Sequence, residues 1–362
     1  MKRKKRYKLK TGRIFITLIL LISIITLGFN TNNIIEYIEL KTLTYSNDSI
    51  KLIKDNEIKL DKYSKTLDKI IDTEYFTIDK LNYYLEINYQ EKDNFFENIN
   101  KLIDIGYNSE EINTIYNKVK NINLILNNQY NKNILKILNS DYYKEENLER
   151  YLNYNSDNDN IVLNVNMYLD YDFYSHDIKI DNVNNLVIVN KYYKLDNDYI
   201  PELVKIDKKY AINNNQLLTS DAKNAFEKMC EEAKNDSIYI YSGSAYRSYS
   251  YQNTLYNNRV KNNGLEYANK TAAKAGYSEH QTGLALDILN KKFEYLDNDD
   301  KEFEWLIENS YKYGFILRYP EGKENITGYT YEPWHFRFLT IEVATELKEK
   351  NITYEEYIGM FK

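Results

Sequence analysis

The chain has 362 residues and a formal net charge of −6, with 43% hydrophobic residues, which is enough for two domains and a sizeable core. Residues 1–13 hold eight Lys or Arg and no acid, so the remainder carries 40 basic and 54 acidic residues, a net charge of −14. An acidic body of this kind argues against nucleic acid as a partner.

The N-terminal segment predicts a membrane anchor. Basic residues 1–13 are followed by an uncharged apolar run over residues 14–29, and the positive-inside rule keeps such a basic tail in the cytoplasm. As a helix, sixteen residues span about 24 Å, slightly short of a hydrocarbon core of about 30 Å. We therefore expect residues 14–35 to be a single-pass transmembrane anchor, with the rest of the chain extracytoplasmic. The alternative is a cleaved signal peptide, although residues 26–28 make a poor cleavage site.

Residues 36–155 are predicted to form an extracytoplasmic helical spacer region. Apolar residues recur at helical spacing in short stretches, and polar capping residues precede two of them at Thr77 and Asn108. The pattern is too irregular to name a repeat family. The alternative for this region is a partner-binding module.

Residues 160–362 are predicted to be the catalytic domain. Strands are expected at residues 161–167, 186–189, 237–241, 283–289, 315–317 and 334–339. Helices are expected at residues 219–234, 249–262, 264–274, 300–313 and at the C-terminus. Because helices and strands alternate irregularly without repeated βαβ units, we predict an α+β fold with a mainly antiparallel central sheet flanked by helices.

The single cysteine, Cys230, excludes an intramolecular disulfide. It shares a helical face with Phe226, Met229 and Ala233, at i, i+3, i+4 and i+7 spacing. This spacing predicts a buried structural thiol rather than a catalytic one.

Two of the three histidines fall in short strings that also contain acids. His280 precedes Asp287, a charge inside an otherwise apolar stretch, and Glu332 precedes His335 by three residues. Two imidazoles and one carboxylate form a three-ligand zinc site with an open fourth position. A second carboxylate, Glu332, is then available as the base for metal-assisted hydrolysis. The third histidine, His176, lies in polar, turn-like sequence and is predicted to be at the surface.

The residues alone leave one alternative open. In this alternative, the two histidines have a structural role, and Asp287 is a capped or salt-bridged acid rather than a metal ligand.

These strings resemble those of VanY-type D-alanyl-D-alanine carboxypeptidases. The family pattern S-x-H-x-x-G-x-A-x-D is matched by Ser278, His280, Gly283, Ala285 and Asp287. The pattern E-x-W-H is matched by Glu332, Trp334 and His335. The pattern Y-R-S, followed by a Gln, is matched by Tyr246, Arg247, Ser248 and Gln252. The resemblance covers roughly residues 185–362. One departure is Ala245, where many relatives have glycine.

The resemblance implies a zinc D,D-peptidase fold and Zn²⁺ as the cofactor, held by His280, Asp287 and His335. It implies removal of the terminal D-Ala from peptidoglycan stem peptides, with Glu332 as the general base.

The resemblance also implies how the substrate is held. Arg247 is expected to grip the free carboxylate of the peptide, because a guanidinium binds a carboxylate through two parallel hydrogen bonds. Gln252 and Ser278 are expected to bind the peptide. The alternatives are an L,D-carboxypeptidase or a peptidoglycan endopeptidase of the same fold, and a non-catalytic wall-binding protein.

Overall fold

A computed structural model of the chain describes residues 31–55, 63–71, 73–154, 160–180 and 182–361. The chain divides into two compact units, Met1–Asn139 and Ser140–Lys362. The division expected from the sequence, into residues 1–13, 14–35, 36–155 and 160–362, stays a prediction.

The first unit is built from short helices joined by turns. These helices are α1 (Thr31–Thr42), α2 (Asn47–Asp55), α3 (Lys65–Ile70), α4 (Leu81–Glu86), α5 (Phe95–Ile105), α6 (Ser109–Lys118), α7 (Asn123–Leu126) and α8 (Ile134–Leu138). At the start of α6, the side chains of Asn108 and Glu111 each accept a hydrogen bond from the other's backbone N–H. This capping box satisfies two backbone donors that would otherwise be unpaired, and it confirms the helix start expected at Asn108.

The second unit combines helices with small sheets. Its helices are α9 (Leu148–Asn153), α10 (Ile161–Asn166), α11 (Ser220–Asn235), α12 (Tyr249–Asn263), α13 (Leu265–Thr271), α14 (Lys301–Asn309), α15 (Glu324–Thr327), α16 (Ile341–Lys350) and α17 (Tyr354–Phe361). Its strands are β1 (Ile178–Lys179), β2 (Tyr193–Lys194), β3 (Val204–Lys205), β4 (Leu217–Leu218), β5 (Tyr241–Ser244), β6 (Ala285–Leu289), β7 (Phe315–Leu317) and β8 (His335–Phe338). Strands β5, β6, β8 and β7 form, in that order, a four-stranded sheet in which every neighbouring pair is antiparallel.

The four-stranded sheet carries the core of the second unit. Strand β6 is buried along its whole length, and Phe226 and Met229 of α11 belong to the same apolar cluster as Leu286. Burying each side chain of this size contributes about 1.5–3 kcal/mol. Cys230 lies on the same face of α11 and is 3% exposed, which confirms the predicted buried thiol. Burial raises the pKa of this thiol, so the thiolate is disfavoured.

Two of the expected strands are wrong. Residues 161–167 form helix α10 instead, and Ile161, Val162 and Val165 are buried where α10 meets α17. A short β-branched run suits either element, and packing against α17 decides in favour of the helix. Residues 186–189 form no strand, although Val187 and Val189 are buried in the core.

The predicted fold class, an α+β fold with a mainly antiparallel central sheet preceded by an all-helical region and a transmembrane helix, is wrong. The structure is a mixed α/β arrangement of helices and small sheets. Beside the four-stranded sheet, the described residues form two sheets of two strands each, and the pair β1–β2 is parallel. The reason is that the described residues between 160 and 218 form a helix, irregular segments and two-residue strands. None of these strands joins the central sheet, to which Ala211 adds an isolated bridge at Ser242 of β5.

The predicted transmembrane segment, residues 14–35, lies outside the described residues except for residues 31–35, which begin α1. In the ranges that the structure describes, no helix combines the length and the apolar character needed to cross a membrane.

Candidate metal centre

Strand pairing brings Asp287 and His335 together. Asp287 in β6 lies directly opposite His335 in β8, and side chains that face each other across an antiparallel pair lie on the same side of the sheet. Asp287 Oδ1 is 3.2 Å from His335 Nδ1, and both side chains are only 5% exposed. The two strings that the sequence separates therefore meet at one point.

His280 reaches this point from a 3₁₀ helix, Glu279–Thr282, that directly precedes β6. Gly283 ends this helix with φ of +68°, a left-handed backbone conformation that favours glycine. The turn places His280 Nε2 3.5 Å from Asp287 Oδ1. One ligand atom from each of His280, Asp287 and His335 lies within 4.8 Å of the others.

Hydrogen bonding away from the centre selects the nitrogen that His280 presents to a metal. His280 Nδ1 lies 2.7 Å from the backbone oxygen of Ala245. Because a carbonyl oxygen only accepts, Nδ1 carries the hydrogen and Nε2 keeps its lone pair for a metal. Ala245 contributes only its backbone to this contact, so its difference from glycine leaves the contact unchanged.

The donor set fits a zinc ion. Asp287 Oδ1 is buried and accepts no hydrogen bond from any described residue. An unpaired buried group of this kind lowers the stability of the fold by about 1–3 kcal/mol or more. A cation held between this oxygen and two imidazole nitrogens removes that cost. Two histidines and one carboxylate, with a fourth position open, are a catalytic zinc donor set, and the zinc prediction is confirmed.

The charges around the centre set three different protonation states. Burial, aided by the Arg247 guanidinium, lowers the pKa of His280 to about 4. Burial alone raises the pKa of Asp287, but Arg247 and His280 together hold it well below its usual value. Burial also lowers the pKa of His335, but the Asp287 and Glu279 carboxylates outweigh it and raise this pKa to about 9. Two of the three ligands are thus ready for a metal at neutral pH, and His335 must first lose a proton.

Glu332 lies beside the three ligands on the turn that leads into β8. Its backbone oxygen accepts from the His335 N–H at 3.1 Å, and its Oε2 lies 3.7 Å from His335 Nδ1. Burial raises the pKa of Glu332 to about 7, and the nearby Asp287 carboxylate adds to the rise. A carboxyl group with a pKa near 7 both accepts and returns a proton at neutral pH, as a general base requires.

Arg247 is engaged with a metal ligand. Its Nη2 donates to Asp287 Oδ2, and its Nε donates to Ser244 Oγ at 2.9 Å. Asp287 is therefore salt-bridged, as the alternative interpretation of the sequence expected, and it also lies in the geometry of a metal ligand. Among the described residues, Nη1 of Arg247 has no hydrogen-bond acceptor, so this nitrogen is available to a ligand.

All the predicted site residues line one cavity of about 370 Å³. Gln252 anchors its wall by donating from Nε2 to the backbone oxygen of Ala273 at 2.8 Å, while its buried Oε1 accepts no hydrogen bond from the described residues. Ser278 lines the cavity next to the 3₁₀ helix of His280. His176, predicted to be at the surface, is exposed, and it is absent from the lining of this cavity.

Sequence reasoning missed a buried ionic network behind the centre. Glu279 Oε2 lies 3.7 Å from His335 Nε2, and Glu279 Oε1 accepts from Arg318 Nε and Arg337 Nη1, at 2.8 Å each. Arg318 also donates to both carboxylate oxygens of Glu355. A usable signal existed, because Arg318 and Arg337 are charges beside or inside apolar strands, as Asp287 is.

Comparison with known proteins gives one family. Residues 215–341 match the family model described as VanY, D-alanyl-D-alanine carboxypeptidase. The chain is 36% identical over 187 residues to the putative carboxypeptidase YodJ of Bacillus subtilis (strain 168); the match covers 49% of this chain and 68% of that protein.

Two similar solved structures were also found. The LdcB LD-carboxypeptidase is 36% identical, with a TM-score of 0.48, and the match covers 51% of this chain and 90% of that one. The vancomycin resistance D,D-pentapeptidase VanY of a VanB-type cassette, solved in complex with Zn(II), is 32% identical, with a TM-score of 0.43 over 48% of this chain and 98% of that one.

Proposed function

This chain belongs to the VanY family of D-alanyl-D-alanine carboxypeptidases, and on that premise we propose that it is a zinc-dependent enzyme that removes the terminal D-Ala from peptidoglycan stem peptides. The family resemblance and the enzyme class expected from the sequence are confirmed. The main support for the proposal is that one cavity is lined by His280, Asp287, His335 and Glu332.

The reaction needs one base and one proton carrier, and Glu332 suits both roles. Its carboxylate takes a proton from the water that attacks the peptide carbonyl, and then delivers this proton to the amine of the departing D-Ala. The C–N bond breaks, and the water oxygen becomes part of the new carboxylate. A zinc ion bound by His280, Asp287 and His335 supplies Lewis acidity that polarises a carbonyl and acidifies water.

Arg247 orients a metal ligand and keeps one nitrogen for the substrate. Its bond to Asp287 fixes the carboxylate that the metal needs. We assign Nη1 of Arg247 to the free carboxylate of the peptide, as the resemblance implies, and Gln252 and Ser278 to hydrogen bonds along the peptide backbone.

Product analysis tests the proposal. The purified protein is incubated with stem pentapeptide and stem tetrapeptide, with and without a chelator, and the products are identified by mass. We expect release of D-Ala from the pentapeptide, and its loss with the chelator. Release from the tetrapeptide alone would make the enzyme an L,D-carboxypeptidase, and no product from either peptide with zinc present would overturn carboxypeptidase activity.

We also propose that the enzyme acts at the cell membrane, with its N-terminus in the cytoplasm and its catalytic part outside. The basic residues 1–13 followed by the uncharged residues 14–29 support this location. Protease added to intact protoplasts should digest the second unit, and the protein should sediment with membranes. Recovery of an intact protein from the soluble fraction would contradict this location.

A further inference from the structure

Lys191 is a buried lysine just before strand β2. The residue is 2% exposed, although a lysine is almost never fully buried unless its charge is paired. Among the described residues, no carboxylate pairs with its Nζ. Burial lowers the pKa of this ammonium group to about 8, which leaves most of it protonated at neutral pH. The charge therefore needs partners other than an acid.

Backbone carbonyls and aromatic rings surround this ammonium group. Lys191 Nζ donates to the backbone oxygen of Asn269 at 2.6 Å and to that of Gly328. Three aromatic rings lie within cation–π distance of Nζ, with their centroids at 4.5 Å for Phe173, 4.4 Å for Tyr329 and 5.8 Å for Tyr174. These contacts take the place of water around the charge, and the two hydrogen bonds fix the distance between the two carbonyls.

The two carbonyls belong to segments that form the wall of the catalytic cavity. Asn269 lies in α13, which leads directly into the lining residues 271–273, and Gly328 directly precedes the lining residue Tyr329. Gly328 also packs against the stem of the lysine, since a Cβ at this glycine would lie 3.0 Å from Lys191 Cδ. Lys191 therefore joins two parts of the cavity wall that are distant in the sequence.

A backbone hydrogen bond from the Thr330 N–H to the Lys270 oxygen, at 3.0 Å, joins the same two segments. The Thr330 hydroxyl reaches the same oxygen at 3.4 Å in an exposed position. Exposed hydrogen bonds compete with water, whereas a buried one is strengthened by its low-dielectric surroundings. The buried ammonium group is therefore the stronger of the two links.

A stack of rings connects this link to the space beside the metal centre. The Tyr329 ring lies 4.9 Å from the Tyr319 ring, which lies 4.8 Å from the His335 ring, and all three residues line the cavity. The metal ligands themselves lie on β6, β8 and the 3₁₀ helix, and Lys191 Nζ bonds to none of these. A shift at Gly328 would thus change the shape of the cavity and leave the metal ligands on their own elements.

We propose that Lys191 is a positioning residue of the catalytic cavity, whose ammonium group holds residues 271–273 and Tyr329 at the separation that a peptide substrate requires. The inference rests on the proposed carboxypeptidase function. Without the ammonium group, the carbonyls of Asn269 and Gly328 lose their common donor, and the two parts of the wall are free to move apart. Substrate binding then weakens, whereas the groups that carry out the reaction stay in place.

Lys191→Met tests the proposal, because methionine keeps most of the length of the side chain and removes the donors. With stem pentapeptide, we expect KM to rise about tenfold or more at nearly unchanged kcat, which corresponds to the loss of roughly one substrate hydrogen bond. Zinc content should stay the same. Lys261→Met is the matched control, since Lys261 is exposed on α12 and does not line the cavity, and it should change neither constant.

The split between KM and kcat separates positioning from a purely structural role. An unchanged KM, with only a lower free energy of unfolding, would make Lys191 structural and overturn the inference, and so would a kcat that falls as much as KM rises. Lys191→Gln keeps N–H donors on a shorter side chain, so its KM should lie between those of the wild type and Lys191→Met. If neither variant folds, Lys191 is a requirement of the fold and the inference fails.

Peptide binding distinguishes this inference from the proposed function. The pentapeptide is titrated into zinc-loaded Glu332→Gln, with and without Lys191→Met, which needs no turnover. If the wild type hydrolyses no stem peptide but Lys191→Met weakens binding, the carboxypeptidase function falls and the role of Lys191 stands. Hydrolysis by the wild type, with equal binding to the two Glu332→Gln proteins, would overturn the role of Lys191 alone. A peptide that is neither bound nor hydrolysed would overturn both.

Discussion

At the scale of single residues, the site depends on neighbouring carboxyl groups in different environments. Asp287 is held ionised by Arg247 and His280, whereas burial raises the pKa of Glu332 to about 7. One carboxylate therefore suits a metal, and the other suits proton transfer. Two titratable groups whose surroundings push their pKa values apart indicate an acid–base assignment.

The role of Glu332 as a base is tested by Glu332→Gln. We expect zinc binding to persist and kcat to fall at least about 100-fold, because general base catalysis contributes this much. Zinc content by elemental analysis and kcat with pentapeptide are the measurements. Glu321→Gln, an exposed position on the neighbouring loop that does not line the cavity, should change neither. Retained turnover in Glu332→Gln would refute the role.

Zinc binding is expected to release a proton from His335. Without metal, its pKa is about 9, above its usual 6.5, so this proton stabilises the metal-free fold fully below pH 6.5 and the stabilisation is lost as the pH rises through about 9. Because a ligand imidazole must be neutral, zinc affinity should fall as the pH drops below 9.

Calorimetric titration at pH 7.5, in buffers of different ionisation enthalpy, measures this proton. The release should approach zero above pH 9. An apparent zinc affinity that is equal at pH 6.5 and pH 8.5 would contradict it.

At the scale of elements, a buried ionic network ties the 3₁₀ helix of His280 to the sheet and the C-terminal helix. Glu279 lies on the 3₁₀ helix, Arg318 follows β7, Arg337 lies in β8 and Glu355 in α17, and all four side chains are at most 2% exposed. Because the network holds Glu279 against His335 Nε2, it orients one metal ligand from behind.

Glu279→Gln tests this support. Leaving two buried guanidinium groups with less negative charge should lower the free energy of unfolding by about 3–5 kcal/mol, and loss of the contact to His335 should weaken zinc affinity about 10- to 100-fold. Chemical denaturation and zinc titration are the measurements. Glu308→Gln removes an exposed ion pair with Lys348 and should cost less than about 1 kcal/mol. Equal effects of the two changes would show that the network neither stabilises the fold nor orients His335.

At the scale of the whole molecule, the chemistry is confined to one of the two units. Every residue that lines the catalytic cavity lies within Ser140–Lys362. The helices of Met1–Asn139 contribute none, and their buried residues, such as Ile99, Leu102 and Ile112, form an interior within that unit.

Removal of residues 1–139 should therefore leave catalysis intact. We expect kcat/KM for a soluble pentapeptide to stay within about twofold of the full chain, because a compact unit with its own core carries its own site. Zinc affinity should also be unchanged. A folded but inactive shortened protein would assign a part of catalysis to the first unit.

Local sequence patterns predicted those features that depend on a single helix. The helical spacing around Cys230 predicted a buried face, and Asn108 predicted a helix cap, because both depend on residues a few positions apart. The same reasoning failed at residues 161–167, since the contact with α17 comes from the far end of the chain.

The sequence by itself determined the candidate ligands, and its motifs determined the family. Two histidines and Asp287 are the donor types of a zinc site, and the resemblance of their strings to one family chose metal-assisted hydrolysis over structural histidines. Only the tertiary structure decided that Asp287 and His335 face each other across β6 and β8, that Arg247 is bonded to Asp287, and that Glu279 lies behind His335. These contacts depend on strand register and burial, which bring distant residues together and shift their pKa values, and no local spacing encodes them.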